Sequence, residues 1–405
     1  MKAVRPEIAR QLEIIRRGVV EIFPEEELME KLERSIAGNR PLRVKQGFDP
    51  SAPDVHLGHT VGLRKLRQFQ DLGHTAVVII GDYTAMVGDP SGRSKTRPQL
   101  SHQQTMENAA TYIRQFMKVL SKENLEIVYN GEWFEKMDLA GVIKLASKMT
   151  VARMLERDDF SMRFKDGIAI AVSEFLYPLM QGYDSVEVRA DVELGATEQK
   201  FNLLVGRALQ TDAGMETQVC LTMPVLPGTD GVRRMGKSLG NYIGVDEPPN
   251  EMYGKVMSIP DDIMRQYFEL VTDVPMDDVN RLLAGHPRDA KAALAARLVE
   301  MYHDTQAAKD AAGEFDRVFR KGKLPDAIPS VKLPETVFQN GRVGIIDLLS
   351  AAGLVSSKSE GRRMVQQGAV TVAGDKITDI EATLAVEDGT VVQVGKRKFA
   401  AVELP

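Results

Sequence analysis

Between residues 42 and 90 the chain alternates between two hydrophobic rhythms. LRVKQGF is a short strand-like run, followed by a loop with two prolines, DPSAPDV. From His56 the stretch HLGHTVGLRKLRQFQDLG sets Val61, Leu63, Leu66, Phe69 and Leu72 at helical spacing, and Gly73 closes it as a helix-terminating glycine. TAVVIIGD then reads as a buried strand, with TAMVGDPSG as a turn at its carboxyl end. Strand, helix and strand in this order make a βαβ unit. That unit implies a parallel sheet whose ligands sit beyond the carboxyl ends of its strands.

Elsewhere the pattern is coarser. The N-terminal MKAVRPEIARQLEIIRRGVVEIFPEEELMEKLERS mixes both signs of charge at helical spacing and predicts amphipathic helices. Residues 103–165 are mainly helical in pattern. A strand-like VEVRADVEL (186–194), a helix from Gln199 and a strand TQVCLTMPVL (217–226) follow. Residues 249–325 read as largely helical, with Pro260, Pro275 and Pro287 at helix boundaries. PDAIPSVKLPE (325–335), with three prolines, reads as part of a linker, and 342–405 as a compact βα unit ending in short strands. No internal repeat or low-complexity tract is visible.

Composition narrows the class. The 405 residues are 43% hydrophobic and 27% charged, with a formal net charge of -5. No run approaches the roughly 18 apolar residues of a membrane span. The N-terminus lacks the apolar core of a signal peptide and has more glutamates than a transit peptide carries. The single cysteine, Cys220, excludes an intrachain disulfide and a thiolate metal cluster; in an apolar strand it is expected to be buried and inert. These features point to a cytoplasmic protein without membrane partners. Overall acidity does not exclude a nucleic-acid partner, because binding depends on where positive charge gathers.

The stretch GVRRMGKSLGN (231–241) fits the phosphate-binding pattern G-x-x-x-x-G-K-[ST]. Its context does not fit. A P-loop follows a strand at once and opens a long helix, whereas here PGTDG intervenes and LGNYIGVDEPP follows, too rich in glycine and proline for a helix. A loop carrying Arg233, Arg234, Lys237 and Ser238 still suits a polyanion, although alone it reads equally as a solvated basic turn. His56-Leu-Gly58-His59 opens the βαβ helix, where backbone N–H groups favour an anion. Two imidazoles there can donate to phosphate oxygens, and Gly58 leaves room for a flat base against the backbone. A metal pair or a capping role are the alternatives. A metal lacks a third His or Cys ligand nearby, and the neighbouring Asp54 reads as well as an N-cap.

HLGH at a helix start, paired with RMGKS in a later loop, resembles the two signature motifs of class I aminoacyl-tRNA synthetases, usually written HIGH and KMSKS. YPLMQGYDS (177–185), GFDPSAPDVHLGH and GDPSGR are similar to the tyrosyl-tRNA synthetases within that class. The resemblance runs from about residue 40 to 270. It resumes in SSKSEGRRMVQQGAVTVAGDKI (356–377), which is similar to the S4 RNA-binding module but taken alone also reads as a small βα domain with ordinary surface charge.

The resemblance implies an α/β chain. A Rossmann-type parallel-sheet catalytic domain would span 1–240, with a helical insertion at about 103–165. A helical anticodon-side domain (241–325), a linker (326–341) and a small α+β S4-like domain (342–405) would follow. It implies a tyrosine–tRNA ligase that makes tyrosyl-adenylate from L-tyrosine and ATP and then charges tRNA(Tyr). ATP would be a substrate with Mg²⁺ carried on its phosphates, no metal would be protein-held, and the chain would be a homodimer through the insertion. His56, His59, Arg234, Lys237 and Ser238 would act on the phosphates. Asp49, Ser51, Gly58, Arg93, Arg97, Ala196 and Glu198 would serve ATP. Asp89, Tyr177, Gln181, Asp184 and Gln199 would hold tyrosine, with Asp184 at its hydroxyl, and Lys358, Arg362 and Arg363 would meet tRNA.

Three features depart from the family pattern, at four positions. Lys45 stands where many relatives carry a tyrosine that shares the substrate hydroxyl, which leaves the second partner of that hydroxyl open. Gly195-Ala196-Thr197-Glu198-Gln199 replaces Gly-Gly-x-Asp-Gln, a change expected to tune ATP binding, and Arg234 replaces the first signature lysine. Three other readings stand beside the ligase, the weakest a P-loop kinase, whose motif lies in the wrong context. A tryptophan–tRNA ligase is disfavoured by Gln181 and by the tail. An RNA-binding protein with an inactive synthetase body is disfavoured by the intact HLGH and Lys237-Ser238, while Ala196 and Glu198 leave room for it.

Overall fold

The computed structural model describes residues 4–91, 101–319, 328–339, 341–395 and 398–405, so Arg93 and Arg97 lie outside the described residues. The chain divides into two compact units, Met1–Lys309 and Asp310–Pro405.

The first unit is built on a six-stranded sheet of β1 (Glu21–Phe23), β2 (Arg43–Phe48), β3 (Thr75–Ile80), β4 (Leu125–Tyr129), β5 (Val192–Ala196) and β6 (Val219–Met223), in the order β1-β6-β5-β2-β3-β4. Neighbouring strands from β6 to β4 are parallel, and β1 closes the edge antiparallel to β6. Central strands buried on both faces need continuous apolar runs, and Ala76 to Ile80 of β3 are all fully buried. From β2 the chain crosses through the helix Leu57–Asp71 to β3 on one side, while β5 enters on the other. The two crossovers diverge at the carboxyl ends of β2 and β5, and this switch point opens a crevice.

The βαβ unit appears as its pattern predicts. Its helix runs Leu57–Asp71, and Gly73 beyond it has φ +86, the left-handed conformation that a helix-terminating glycine supplies. No P-loop forms: Lys237–Leu239 is a single 3-10 turn, and the next helix begins at Pro249. Other expectations are corrected. β1 falls within the N-terminal stretch read as helical, and β4 within 103–165; each is short and is stabilised by pairing with a distant strand. VEVRADVEL is only partly strand. Its first two residues end the helix Leu176–Glu187, and β5 starts at Val192. Val188 and Ala190 pack beneath Val77 and Ile79 from an intervening turn, so alternate residues face the core without being extended.

The helices Pro249–Met257, Met264–Val271, Met276–Leu283 and Pro287–Tyr302 belong to the same unit as the sheet. In the second unit Ser330–Lys332, within the expected linker, pairs parallel with Lys398–Glu403 and completes a five-stranded sheet. Leu348, Leu349, Val365, Val370, Val392 and Val402 form its core. Prolines on both sides of an edge strand mislead, because an edge strand tolerates them. Among the described residues no helix is long and apolar enough to cross a membrane.

Candidate active site

The start of the helix Leu57–Asp71 is a reciprocal cap made by two histidines. His56 is the N-cap, and its Nδ1 accepts the Gly58 N–H at 3.1 Å, while His59 Nδ1 accepts the His56 N–H at 3.2 Å. An imidazole nitrogen that accepts a backbone N–H carries no proton, so in each neutral ring the hydrogen is on Nε2. The rings stack with centroids 3.9 Å apart. Burial, followed by the nearby Lys237 cation, pushes His56 down to about 4. Burial, His56 and Lys237 push His59 well below the usual histidine range. Both rings are therefore neutral hydrogen-bond donors at physiological pH. Gly58 is required by this cap, because a Cβ there would stand 2.9 Å from His56 Cε1. Asp54 is not the N-cap; its carboxylate pairs with Lys237.

The RMGKS loop is tied to the same place. Residues on either side of His56 bond to the chain after the loop, Leu57 N–H to the Ile243 carbonyl at 2.9 Å and Val245 N–H to the Val55 carbonyl at 3.0 Å. Asn241 organises the loop from within. It accepts the Gly236 N–H at 2.9 Å and donates to Asp230 at 2.9 Å and to the Arg234 carbonyl at 3.1 Å. Three loop cations rest on carboxylates: Lys237 Nζ on Asp54 at 2.7 Å, Arg233 on Asp230 at 2.9 Å and Arg234 on Glu198 at 3.2 Å. Two departures from the family pattern, Arg234 and Glu198, are thus partners of one another. Burial raises the Glu198 carboxyl, and Arg234 partly offsets this. Ser238 is exposed on the 3-10 turn.

Beside these groups, at the switch point, lies a cleft. Gly47, Ile79 and Leu194 form apolar wall, and Asp49, Tyr177, Gln181, Asp184 and Gln199 supply polar groups. Asp49 accepts from Thr84 Oγ1 at 2.7 Å and from the Tyr177 hydroxyl at 2.8 Å. Asp89 accepts from the Ser91 N–H at 2.9 Å and from Gln199 at 2.8 Å. Gln199 in turn accepts the Ala196 N–H at 2.9 Å. A Cβ on Gly81 would run into both Asp49 and Thr84, so this wall needs glycine.

Asp184 is 3% exposed and accepts from Trp133 Nε1 at 3.0 Å and Asn130 Nδ2 at 3.4 Å. Burial pushes its carboxyl up to about 7, against the pull of Lys45 and of those two hydrogen bonds. Lys45 turns away from the cleft. Its Nζ is bonded beneath it to the Gln181 carbonyl at 2.7 Å, to Ser185 Oγ at 2.7 Å and to Glu193 at 2.9 Å.

The structure therefore brings His56, Gly58, His59 and Lys237 together at the helix start and joins Arg234 to Glu198, with Ser238 exposed on the loop. It gathers Asp49, Tyr177, Gln181, Asp184 and Gln199 around the cleft, with Ala196 and Asp89 bonded to Gln199 and Ser51 exposed on the loop after Asp49. Lys358, Arg362 and Arg363 are exposed on the helix Lys358–Gln366 of the second unit, Lys358 paired with Asp347 at 2.7 Å. Sequence reasoning missed Asn130, Trp133, Thr84, Asp54 as a partner of Lys237, and the Lys45–Glu193 pair. The lone tryptophan was the one usable signal, since a buried indole needs an acceptor for its N–H.

Comparison with known proteins identifies the family. Residues 37–320 match the family model described as tRNA synthetases class I (W and Y), and 326–402 match the tyrosine–tRNA ligase SYY-like C-terminal domain. The chain is 53% identical over 403 residues to a tyrosine–tRNA ligase of Carboxydothermus hydrogenoformans, covering 98% of each chain. It is 51% identical over 395 residues to that of Thermotoga maritima, covering 96% of each. The fold is similar to a C-terminally truncated mitochondrial tyrosyl-tRNA synthetase of Aspergillus nidulans (TM-score 0.65, 23% identity, 77% of this chain and 94% of that one). It is also similar to a tyrosyl-tRNA synthetase of Archaeoglobus fulgidus complexed with L-tyrosine (TM-score 0.61, 24% identity, 76% and 100%). Full-length identity at this level, with both family models in order along one sequence, means that the chain belongs to the class I tRNA synthetases, in their tyrosine–tRNA ligase branch.

Proposed function

We propose that tyrosine lies in the cleft with its hydroxyl on Asp184, and that the ATP phosphates lie between the two histidines and the RMGKS loop. The observation that carries this is the pairing of two neutral Nε2–H donors with two loop cations, one of them bonded to Glu198 next to Gln199 of a cleft that also holds the buried Asp184 carboxylate. A tyrosine–tRNA ligase joins the tyrosine carboxylate to the α-phosphorus of ATP with loss of pyrophosphate, then passes the tyrosyl group to a terminal ribose hydroxyl of tRNA. Neither step needs a protein nucleophile, so positioning and charge supply the catalysis. His56 and His59 would donate to phosphate oxygens in the transition state. Arg234 and Lys237 would leave Glu198 and Asp54 for the pyrophosphate, with Ser238 beside them, and Mg²⁺ would arrive on ATP.

Asp89, Tyr177, Gln181 and Gln199 would hold the amino acid, and Asp49, Ser51, Gly58, Ala196 and Glu198 the nucleotide. Residues 241–325 and Lys358, Arg362 and Arg363 of the C-terminal unit would serve tRNA(Tyr), and the reaction would take place in the cytoplasm. A homodimer is favoured by the exposed apolar side chains in and beside the insertion, Leu139, Ile143, Phe164 and Val172 at 61–80% exposure. Charge placed at Phe164 should yield monomers in sedimentation.

Pyrophosphate exchange into ATP, run with each amino acid in turn at saturating Mg²⁺, tests the whole assignment. Exchange is expected with tyrosine and not with phenylalanine or tryptophan. Equal exchange with phenylalanine would remove Asp184 from the hydroxyl.

A further inference from the structure

The ion pair beneath the cleft has no part in the roles above. Lys45 on β2 and Glu193 on β5 face each other in register, and both side chains are fully buried. All three Lys45 donors are used, on the Gln181 carbonyl, Ser185 Oγ and Glu193. Glu193 also accepts from Gln181 Nε2 at 3.0 Å, from Ser185 Oγ at 3.1 Å and from Gln218 Nε2. Gln181 is thus held by its carbonyl from Lys45 and by its amide from Glu193, while Asn202 donates to its Oε1 at 2.9 Å. Asp184 follows Gln181 by three residues on the same helix, so both project from one face into the cleft. Simple packing does not call for two buried charges, since an apolar pair of the same volume avoids their desolvation.

Charge supplies the reason. The groups acting on Asp184 are Trp133 and Asn130, which donate to it, and Lys45 and Glu193, which lie beneath it; Tyr177 stands two turns earlier on the same helix. Of the charged neighbours Lys45 has the larger influence and favours the carboxylate anion, and Glu193 opposes it more weakly.

We propose that the Lys45–Glu193 pair is a specificity-setting support of the tyrosine pocket: it locks Gln181 at both ends and holds a positive charge under Asp184, which favours the anion that only a phenol satisfies. This rests on the assignment of the phenol to Asp184. A neutral acid at that position would admit a phenyl ring at little cost, whereas a buried anion left without its third donor would not. Lys45 acts through Asp184 and Gln181 and is a positioning residue.

Lys45→Met alone leaves Glu193 buried and uncompensated and can fail to fold, so the test uses Lys45→Met/Glu193→Gln, which keeps an acceptor for the Gln181 amide. In the full chain, kcat/KM for tyrosine and for phenylalanine is measured by pyrophosphate exchange from about pH 6 to about pH 9. Tyrosine binding is followed separately through the fluorescence of Trp133, the only tryptophan. The acid limb of kcat/KM for tyrosine is expected to move up by about one unit, and the tyrosine-to-phenylalanine ratio to fall about tenfold at neutral pH. The KM for ATP at saturating tyrosine should not change. A folded double variant with the wild-type limb and ratio would overturn the proposal. Asp184→Asn separates the two levels of the argument. If it removes the limb and the preference while the double variant changes neither, only the role of the pair falls. If Asp184→Asn keeps the preference for tyrosine, the phenol assignment fails and the proposal fails with it.

Discussion

Asp184→Asn should stabilise the empty protein at high pH while it weakens tyrosine binding. Asp184 is buried, and its carboxyl is raised from 3.8 to about 7. Below about pH 4 the acid is protonated in both folded and unfolded chains and costs nothing. Between the two values the fold keeps the proton that the unfolded chain releases, so the folding free energy weakens steadily as pH rises. Above about 7 the fold holds a bare buried anion and the loss is complete. Three units at about 1.4 kcal/mol each set a ceiling of about 4 kcal/mol. The amide of residue 184 would face the Asn130 amide, now 3.4 Å from the carboxylate, and Asn130 is committed to the Tyr83 N–H and Thr84. That contact cuts the net gain at alkaline pH to about 1–3 kcal/mol. Urea unfolding followed by Trp133 fluorescence reports the first unit alone, since the chain has no other tryptophan. From about pH 5 to about pH 8 the stability of the variant relative to wild type should grow by about 2–3 kcal/mol. A variant that is less stable by the same amount at both values would refute the reasoning, because a packing defect does not titrate.

Three further outcomes are expected. With His56 at about 4 and His59 well below the histidine range, adenylate formation should show no histidine limb; a limb near pH 6.5 that disappears in His59→Ala would contradict the neutral assignment. Lys237→Met should slow adenylate formation by roughly 10²–10³ in single turnovers while leaving tyrosine affinity unchanged, and a parallel loss of tyrosine binding would place the lysine elsewhere. Replacing Lys358, Arg362 and Arg363 together by glutamine should lower the slope of log affinity for tRNA against log salt by about 2–3, with tyrosine-dependent exchange intact. An unchanged slope in filter binding would remove that helix from the RNA surface.

The features legible along the chain were those held by local contacts. The helix Leu57–Asp71 follows from its hydrophobic period, its closing glycine and the histidines at its start, all within a few turns. The failed P-loop was legible for the same reason, since the glycines and prolines after Ser238 act on their own backbone. β1 and β4 were hidden because three and five residues without a strong period become strands only through a partner far away in sequence. The site divides in the same way. Motif positions marked Tyr177, Gln181 and Asp184, but not what supports them. Lys45 meets Glu193 across 148 residues, Trp133 reaches Asp184 across 51, and Arg234 finds Glu198 across 36. Local spacing sets helix faces and caps, because those interactions close within one or two turns. Strand order and register decide which distant charges share one buried space, and those charges set the ionisation of Asp184 and the hold on Gln181.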